Sequence, residues 1–397
     1  MTTWSSDAIQ FPVSVVGAGA MGAGIAQVAA MAGHPVTLVD AVTGAAEAGV
    51  ARIIGNLQRL EAKGRIDSAR LEAVAERLRT ATHVADLPAS ALVVEAVRED
   101  LATKQELFAI LAAHQPAEAI LATNTSSLDI TAVATGTPHP ERVLGLHFFN
   151  PPPVMRLVEV VHGADTSDEV LTAATDLMVA WGKSPVRCTS TPGFIVNRVA
   201  RPFYGEAQRM LMAGVADAAT LDEALRRAGF RMGPLELTDF IGQDVNLAVG
   251  TSVWEQTDRD PRYEPAQVQR DLVAAGRLGR KAGEGVYRYA GDGKPLDADP
   301  DEARLAELVG GPVETDPVAR TVAMLVNEAV DLVHRGEASA QDVDTAMRLG
   351  TNYPRGPLEW GAEIGYAVVA EQLSALDRAF PGGRYRPSPA LTEAVAP

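Results

Sequence analysis

The stretch that most restricts this chain is PVSVVGAGAMGAGIAQ, where a short β-branched run meets three glycines and passes into a helix-forming segment. Gly17, Gly19 and Gly22 stand in G-x-G-x-x-G spacing, with Ala20 and Met21 between the last two. The first glycine permits a tight turn, the second lets the backbone approach a pyrophosphate, and the third allows close helix–strand packing. The helix N-terminus adds amide donors and the positive end of its dipole. Glycines in this spacing can also serve a turn alone, so the context decides. A second apolar run, HPVTLVD, ends at Asp40, 18 residues after Gly22. A carboxylate there accepts hydrogen bonds from an adenosine ribose diol and repels a 2′-phosphate, and the following Ala41 and Val42 offer no arginine to bind one. Gly17, Gly19, Ala20, Met21, Gly22 and Asp40 are therefore read as a site for NAD rather than NADP. A flavin is the rival ligand, but no flavin-specific pattern accompanies the glycines.

Further apolar runs, ALVVEAV, AILATNT and RVLGLHFF, alternate with helical stretches such as LATKQELFAILAAH. That alternation predicts a Rossmann-type, doubly wound parallel sheet. After Ser190 amphipathic helices dominate, and they contain a repeat. RVARPFYGEAQRMLMAG (from Arg198) aligns with RTVAMLVNEAVDLVHRG (from Arg320) at an offset of 122, which also matches Glu206 with Glu328 and Asp222 with Asp344. One residue is then gained, and GPLELTDFIG (from Gly233) matches GPLEWGAEIG (from Gly356). Thr191-Pro192 and Asp316-Pro317 each read as an N-cap with proline in the first helical turn. The expected organisation is an α/β domain over 1–190, a helical domain over 191–290, a mobile Gly/Pro/Asp-rich linker over 291–312, and a second helical copy over 313–397.

The 47% hydrophobic and 22% charged shares are ordinary for a globular protein, and no run is apolar and long enough to span a bilayer. The opening MTTWSSDAIQFP has neither a basic leader nor an apolar core, which gives no sign of secretion. A single cysteine, Cys188, in the apolar-flanked run SPVRCTS, reads as a buried bystander, and a reducing cytoplasm fits. A net charge of −16 argues against nucleic acid and against an anionic membrane surface. Locally the balance reverses: between Ala51 and Thr80 there are seven basic residues and four acidic ones. A solvated helix face is the plain reading of that segment, and a phosphorylated ligand the functional one.

Six of the seven histidines have simple readings in turns, loops, a strand end or a helix. His147 stands apart in LGLHFFNPPPV, at the end of a strand and before a proline-fixed loop, and ligands of open α/β sheets bind at the carboxyl ends of strands. Twelve residues later Glu159 interrupts the apolar run LVEVV, where a carboxylate is expensive to bury without a partner. If the NPPPVM loop returns the chain, Glu159 reaches the imidazole and orients it as a base. Spacing alone leaves a structural histidine and an unrelated acid as an equal reading.

GAGAMGAGIAQ, LVVEAV, NTSSLDI, GLHFFNPPPVMRLVEVV, TPGFIVNR, GPLEL and GRLGRKAGEGVY, in that order, resemble the L-3-hydroxyacyl-CoA dehydrogenase family from about Val13 to Tyr289. The resemblance implies oxidation of (S)-3-hydroxyacyl-CoA to 3-oxoacyl-CoA with NAD. It makes His147 the catalytic base and Glu159 its partner, places substrate-positioning roles on Ser126, Asn150 and Asn197, and puts an NAD-contacting acid and lysine at Glu99 and Lys104. No metal is implied. The helical hairpin after the second strand is shorter than in single-repeat members, so coenzyme A contacts do not transfer; Arg59 and Lys63 are substrate candidates by charge and place alone.

Ala319 occupies the position equivalent to Asn197, the GFI segment has no second counterpart, and there is one nucleotide fingerprint. The second copy is therefore expected to lack an active site. It is expected to cover the first copy as a partner subunit does in homodimeric members, an intrachain pseudo-dimer open to further association. The arrangement resembles phenylacetate-degradation members, which makes 3-hydroxyadipyl-CoA a candidate substrate beside 3-hydroxybutyryl-CoA. Two other readings are a dehydrogenase of hydroxyacyl groups on an acyl carrier protein and a non-catalytic NAD-binding scaffold.

Overall fold

The computed structural model describes residues 11–296 and 298–393, so most of the opening stretch lies outside the described residues. The chain divides into two compact units, Met1–Thr191 and Pro192–Pro397.

The first unit runs β1 (Val13–Val16), α1 (Ala20–Ala32), β2 (Val36–Val39), α2 (Ala45–Ala62), α3 (Ser68–Ala75), β3 (Leu78–Ala81), β4 (Leu92–Glu95), α4 (Leu101–His114), β5 (Ile120–Thr123), α5 (Ile130–Ala134), β6 (Val143–Phe148), β7 (Leu157–His162), α6 (Asp168–Ala180) and β8 (Ser184–Thr189). One sheet holds all eight strands in the order β3-β2-β1-β4-β5-β6-β7-β8. The first six places are those of a doubly wound dinucleotide fold, with the strand order reversing between β1 and β4. Val13, Val15, Leu38, Leu92, Val94 and Leu144 form the centre of its core, as continuous apolar runs in a two-sided sheet require.

The sheet departs from the wholly parallel expectation at one place. β6 and β7 are antiparallel, because residues 149–156 are too few for a helical crossover and turn the chain straight back. β3 and β8 are the two edges, and their sequences, LRTA and SPVRCT, carry the charges and the proline that edges favour. That polarity is why neither reads as a strand from sequence. Cys188 is buried on β8.

The second unit is helical: α7 (Val196–Val199), α8 (Arg201–Met212), α9 (Ala218–Arg227), α10 (Pro234–Ile241), α11 (Gln243–Gln256), α12 (Gln267–Ala274), a small hairpin of β9 (Arg288–Tyr289) and β10 (Pro295–Leu296), α13 (Glu302–Leu308), α14 (Pro317–His334), α15 (Ala340–Thr351), α16 (Pro357–Ile364), α17 (Tyr366–Ala379) and α18 (Pro389–Glu393). The repeat appears as local chemistry. Asp222 accepts hydrogen bonds from the Leu235 and Glu236 amides at the start of α10, and Asp344 does the same for Leu358 and Glu359 at the start of α16. A Cβ on Gly233 or Gly356 would collide with those carboxyl groups, which explains the glycine of each GPLE motif.

The copies also exchange side chains. Glu328 accepts from Arg198 and Tyr263, each at 2.5 Å, with Arg262 at 3.4 Å. Glu206 accepts from Arg320, Arg384 and Tyr385, each at 2.8 Å. Arg198, Glu206, Arg262 and Tyr263 each lie 122 residues before Arg320, Glu328, Arg384 and Tyr385. The contact is therefore self-complementary, as an isologous interface between two subunits would be.

Two local expectations are corrected here. Asp316 caps α14 through the Val318 and Ala319 amides, but α7 begins only at Val196, with Ile195 rather than Thr191 at its N-cap position. The intervening Gly193 and Phe194 have positive φ angles, which a helix cannot accommodate. Residues 302–308 of the expected mobile linker form α13, capped by Asp301 and anchored by buried Leu305 and Leu308.

Candidate active site

The register of the first unit sets its polar residues along one sheet edge. Val16 pairs with Glu95, Glu95 with Thr123, and Thr123 with Gly145, so β1, β4 and β5 end level while β6 continues three residues further to Phe148. From those ends come the glycine turn, Glu95 and Glu99, the NTSS segment, and His147.

The glycine turn is built for close approach. Gly17 takes a φ of 102°, and a Cβ there would meet the Ala96 carbonyl oxygen at 2.4 Å. A Cβ on Gly22 would meet the Gly17 carbonyl oxygen at 1.8 Å, so helix and turn touch through glycine. At Gly19 the same test finds open space within 4 Å, and Gly19 stands at the N-cap of α1 with no side chain closing the helix end. These are a pyrophosphate's requirements: room at the middle glycine and amides facing it. Asp40, just past β2, accepts from the Ala18 amide at 2.7 Å and the Val42 amide at 2.9 Å. It thus steadies the turn from which it would meet a ribose. The residues present fit NAD.

Between β4 and β5 lies a carboxylate network. Glu95 is fully buried and accepts from the Lys104 ammonium, the Val97 amide and the Thr123 hydroxyl, each at 2.6 Å. Glu99 accepts from the Thr125 hydroxyl at 2.5 Å and the Ser126 amide at 2.9 Å, with Lys104 at 3.4 Å. Burial would raise the Glu99 carboxyl, but Thr125, Lys104 and the Ser126 amide outweigh it and hold the carboxyl below its ordinary range. Lys104, 1% exposed, is enclosed by the two glutamates. Glu99, Lys104 and Ser126 therefore form one connected group.

His147 and Glu159 are directly opposite one another across the antiparallel β6–β7 pair. The imidazole Nδ1 lies 2.5 Å from Glu159 Oε2, with His147 7% exposed and Glu159 fully buried. An ionised carboxylate only accepts, so Nδ1 carries the proton and Nε2 is the basic nitrogen of the ring. The strand end is tied down by Asn124, whose side-chain oxygen accepts from the Phe148 amide at 2.9 Å. The loop beyond is held by Lys183, which donates to the carbonyls of Pro152 at 2.5 Å and Met155 at 2.9 Å. Pro152 in turn packs where a Cβ on Gly24 of α1 would stand, so the loop after β6 rests on α1. Asn150 is exposed within that loop.

The other sequence candidates are on α2 and α7. Arg59 is exposed near the end of α2 and bonds Asn56, and Lys63 caps the same helix, also exposed. Asn197 is on α7 in the second unit, partly exposed. Glu95, Asn124 and Lys183 escaped the sequence reading. Glu95 alone carried a signal, an acid in the apolar run LVVEAV. Among the described residues no group of three or more His, Cys, Asp or Glu could hold a metal, and no helix is long and apolar enough to cross a membrane.

Comparison with known proteins bears on both units. The NAD-binding domain of 3-hydroxyacyl-CoA dehydrogenase matches residues 12–191, and the C-terminal domain of the same family matches twice, at 193–289 and 317–396. A 3-hydroxyadipyl-CoA dehydrogenase of Escherichia coli K12 is 41% identical over 96% of this chain and 96% of its own. A crystal structure of a 3-hydroxybutyryl-CoA dehydrogenase from Escherichia coli K12 covers 98% of both chains at 40% identity, with a TM-score of 0.88. The crystal structure of an (S)-3-hydroxybutyryl-CoA dehydrogenase from Ralstonia eutropha covers 71% of this chain and all of its own, at 39% identity and a TM-score of 0.69.

Proposed function

Since this chain belongs to the 3-hydroxyacyl-CoA dehydrogenase family, we propose that His147 is the base of its reaction and Glu159 the group that orients it. The reaction is NAD-dependent oxidation of a 3-hydroxyacyl-CoA to the 3-oxo thioester. The cross-strand pair carries the assignment. Glu159 accepts a hydrogen bond from Nδ1–H, which leaves Nε2 as the nitrogen that takes the proton of the substrate's 3-hydroxyl. NAD, when bound, supplies the acceptor for the hydride that leaves the same carbon. A fully buried carboxylate keeps the imidazole in one tautomer and stabilises the imidazolium that forms.

Ser126 and Asn197 are the residues we assign to hold the substrate oxygens, with Asn150 in a supporting place. Gly17, Gly19, Ala20, Met21, Gly22 and Asp40 hold the cofactor. Glu99 contacts it from the next strand end, and Lys104 acts through Glu99 because its own ammonium is enclosed. Arg59 and Lys63 are kept as exposed cations for the coenzyme A phosphates. A scaffold reading has no use for a carboxylate buried against an imidazole, and nothing in the chain favours a carrier-protein substrate.

The second helical copy supplies the surface that a partner subunit supplies in homodimeric members, and the mirrored arginine–glutamate exchange supports this. A relative matched over nearly the whole chain acts, by its name, on 3-hydroxyadipyl-CoA, and we take that dicarboxylic thioester as the preferred substrate. A reducing cytoplasm suits the single buried cysteine. The test is NADH formation across 3-hydroxybutyryl-, 3-hydroxyhexanoyl- and 3-hydroxyadipyl-CoA. Highest kcat/KM for the last supports the reading, and turnover of none of them overturns it.

A further inference from the structure

The arginine–glutamate exchange of the helical unit is mirrored, and Arg201 takes no part in it. Arg198, Arg262, Arg320 and Arg384 each meet a glutamate of the other copy. Arg201, at the start of α8, meets no carboxylate among the described residues. Its Nε donates to the Asn197 carbonyl at 2.8 Å and its Nη1 to the Asn246 carbonyl at 3.3 Å, while its guanidinium lies 5.0 Å from the Tyr204 ring centre. Both acceptors are neutral, so a partly buried positive charge stands without a counter-ion.

Tyr353 supplies the second observation. It is 5% exposed, and its buried hydroxyl has no hydrogen-bond partner. Its ring packs with Phe203 and Phe230, at centroid distances of 5.3 and 5.0 Å. Phe230 is the equivalent residue of the first copy, so packing there needs an aromatic ring and no hydroxyl. Adjoining rings join it to Arg201: Phe203, which packs on Tyr353, lies 5.7 Å from the Tyr204 ring over which Arg201 stands. Burial pushes the Tyr353 phenol well above its ordinary value, which keeps it a donor. An unmade buried hydrogen bond and a guanidinium without a carboxylate, in one aromatic cluster, are the chemistry of an anion site.

The asymmetry marks the set as ligand-directed. At the offset of 122, Asn197, Arg201 and Tyr204 correspond to Ala319, Ala323 and Val326, so the copy that lacks the substrate asparagine also lacks the arginine and the tyrosine. The arginine–glutamate exchange is doubled; this group occurs once.

We propose that Arg201 and the Tyr353 hydroxyl bind the terminal carboxylate of a dicarboxylic acyl chain, making them the specificity determinants of the reaction. The proposal rests on the reading of Asn197 as a substrate-holding residue. Arg201 follows Asn197 by four residues, about one helical turn or 5.4 Å. In a six-carbon dicarboxylic thioester the second carboxyl carbon is three bonds from the hydroxyl-bearing carbon, roughly 4 Å. The second copy thereby contributes a donor to substrate choice as well as covering the first.

The test compares 3-hydroxyadipyl-CoA with 3-hydroxyhexanoyl-CoA, equal in chain length and different only in the terminal carboxylate. The preference for the dicarboxylic substrate, read as a ratio of kcat/KM values, should fall about 10- to 100-fold in Arg201→Gln. It should fall less, but measurably, in Tyr353→Phe, which copies the Phe230 of the first repeat and so keeps the fold. An unchanged ratio in both variants overturns the proposal. Equal weakening of both substrates also overturns it, since the anion is then a coenzyme A phosphate common to the two. Calorimetric titration with adipyl-CoA and hexanoyl-CoA needs no turnover and separates the two readings. Loss of adipyl-CoA selectivity in the variants supports the carboxylate pair even if His147 proves not to be the base; no selectivity in the unaltered protein refutes the pair even if it is.

Discussion

Glu206 and Glu328 occupy equivalent places 122 residues apart, and each is neutralised by arginines of the other copy. Burial would raise the Glu206 carboxyl, but Arg384, Arg320 and Arg209 overcome it and hold the group at about 2. Glu328 is likewise lowered, by Arg198 and Arg262 against its burial. A carboxylate with a depressed folded value stabilises fully above its unfolded value of about 4.3 and loses that contribution as pH falls through the folded one. Stability should therefore decline steeply between about pH 4.5 and pH 2. Glu206→Gln should flatten this decline and lower stability at neutral pH by about 3–5 kcal/mol, because two buried arginines lose their counter-ion. Chemical denaturation across pH checks both statements; a neutral-pH loss under about 0.5 kcal/mol contradicts them.

The same exchange bears on assembly. If the second copy fills the place of a partner subunit, the chain needs no other molecule to cover α8. Sedimentation velocity should therefore show the same association state before and after substitution on α8, any larger species forming through other surfaces. A dimer that dissociates only when α8 is altered would refute the pseudo-dimer.

Gly19 and Gly22 separate binding from folding. Gly22→Ala drives a Cβ against the Gly17 carbonyl and should cost about 1–3 kcal/mol of stability. Gly19→Ala meets nothing within 4 Å, so stability should change by less than about 0.5 kcal/mol. It should nevertheless weaken NAD binding about tenfold, roughly 1.4 kcal/mol, by filling the space left for the pyrophosphate. Thermal unfolding and fluorescence titration with NADH distinguish the two; equal effects on folding would contradict the assignment.

How much of this was legible beforehand depended on the range of the interaction. Glu159 could be singled out because an apolar strand cannot hold a carboxylate without a partner, and the short NPPPVM loop made His147 the partner in reach. The same logic applies to Glu95, but its place at the last residue of β4 let it pass for a solvent-facing strand end. Asn124 and Lys183 were invisible because their partners are backbone groups 24 to 31 residues away, which side-chain patterns do not report. The edges β3 and β8 were hidden by the polarity that protects them from pairing. Arg201 gives no signal in the sequence, because a missing counter-ion shows only in the packing around it.

Glu159→Gln keeps the shape of the pair and removes the charge that fixes the imidazole tautomer. We expect kcat to fall about 100-fold or more, with KM for the thioester changed far less, because the orientation matters during proton transfer. Steady-state kinetics decide this; a change confined to KM would assign Glu159 to binding.

The most direct measurement is NADH formation by His147→Gln with 3-hydroxyadipyl-CoA, alongside its affinity for NAD. The account predicts a fall in kcat of about 10²–10⁴-fold with NAD binding retained. Turnover at the rate of the unaltered protein would show that the proton leaves by another group.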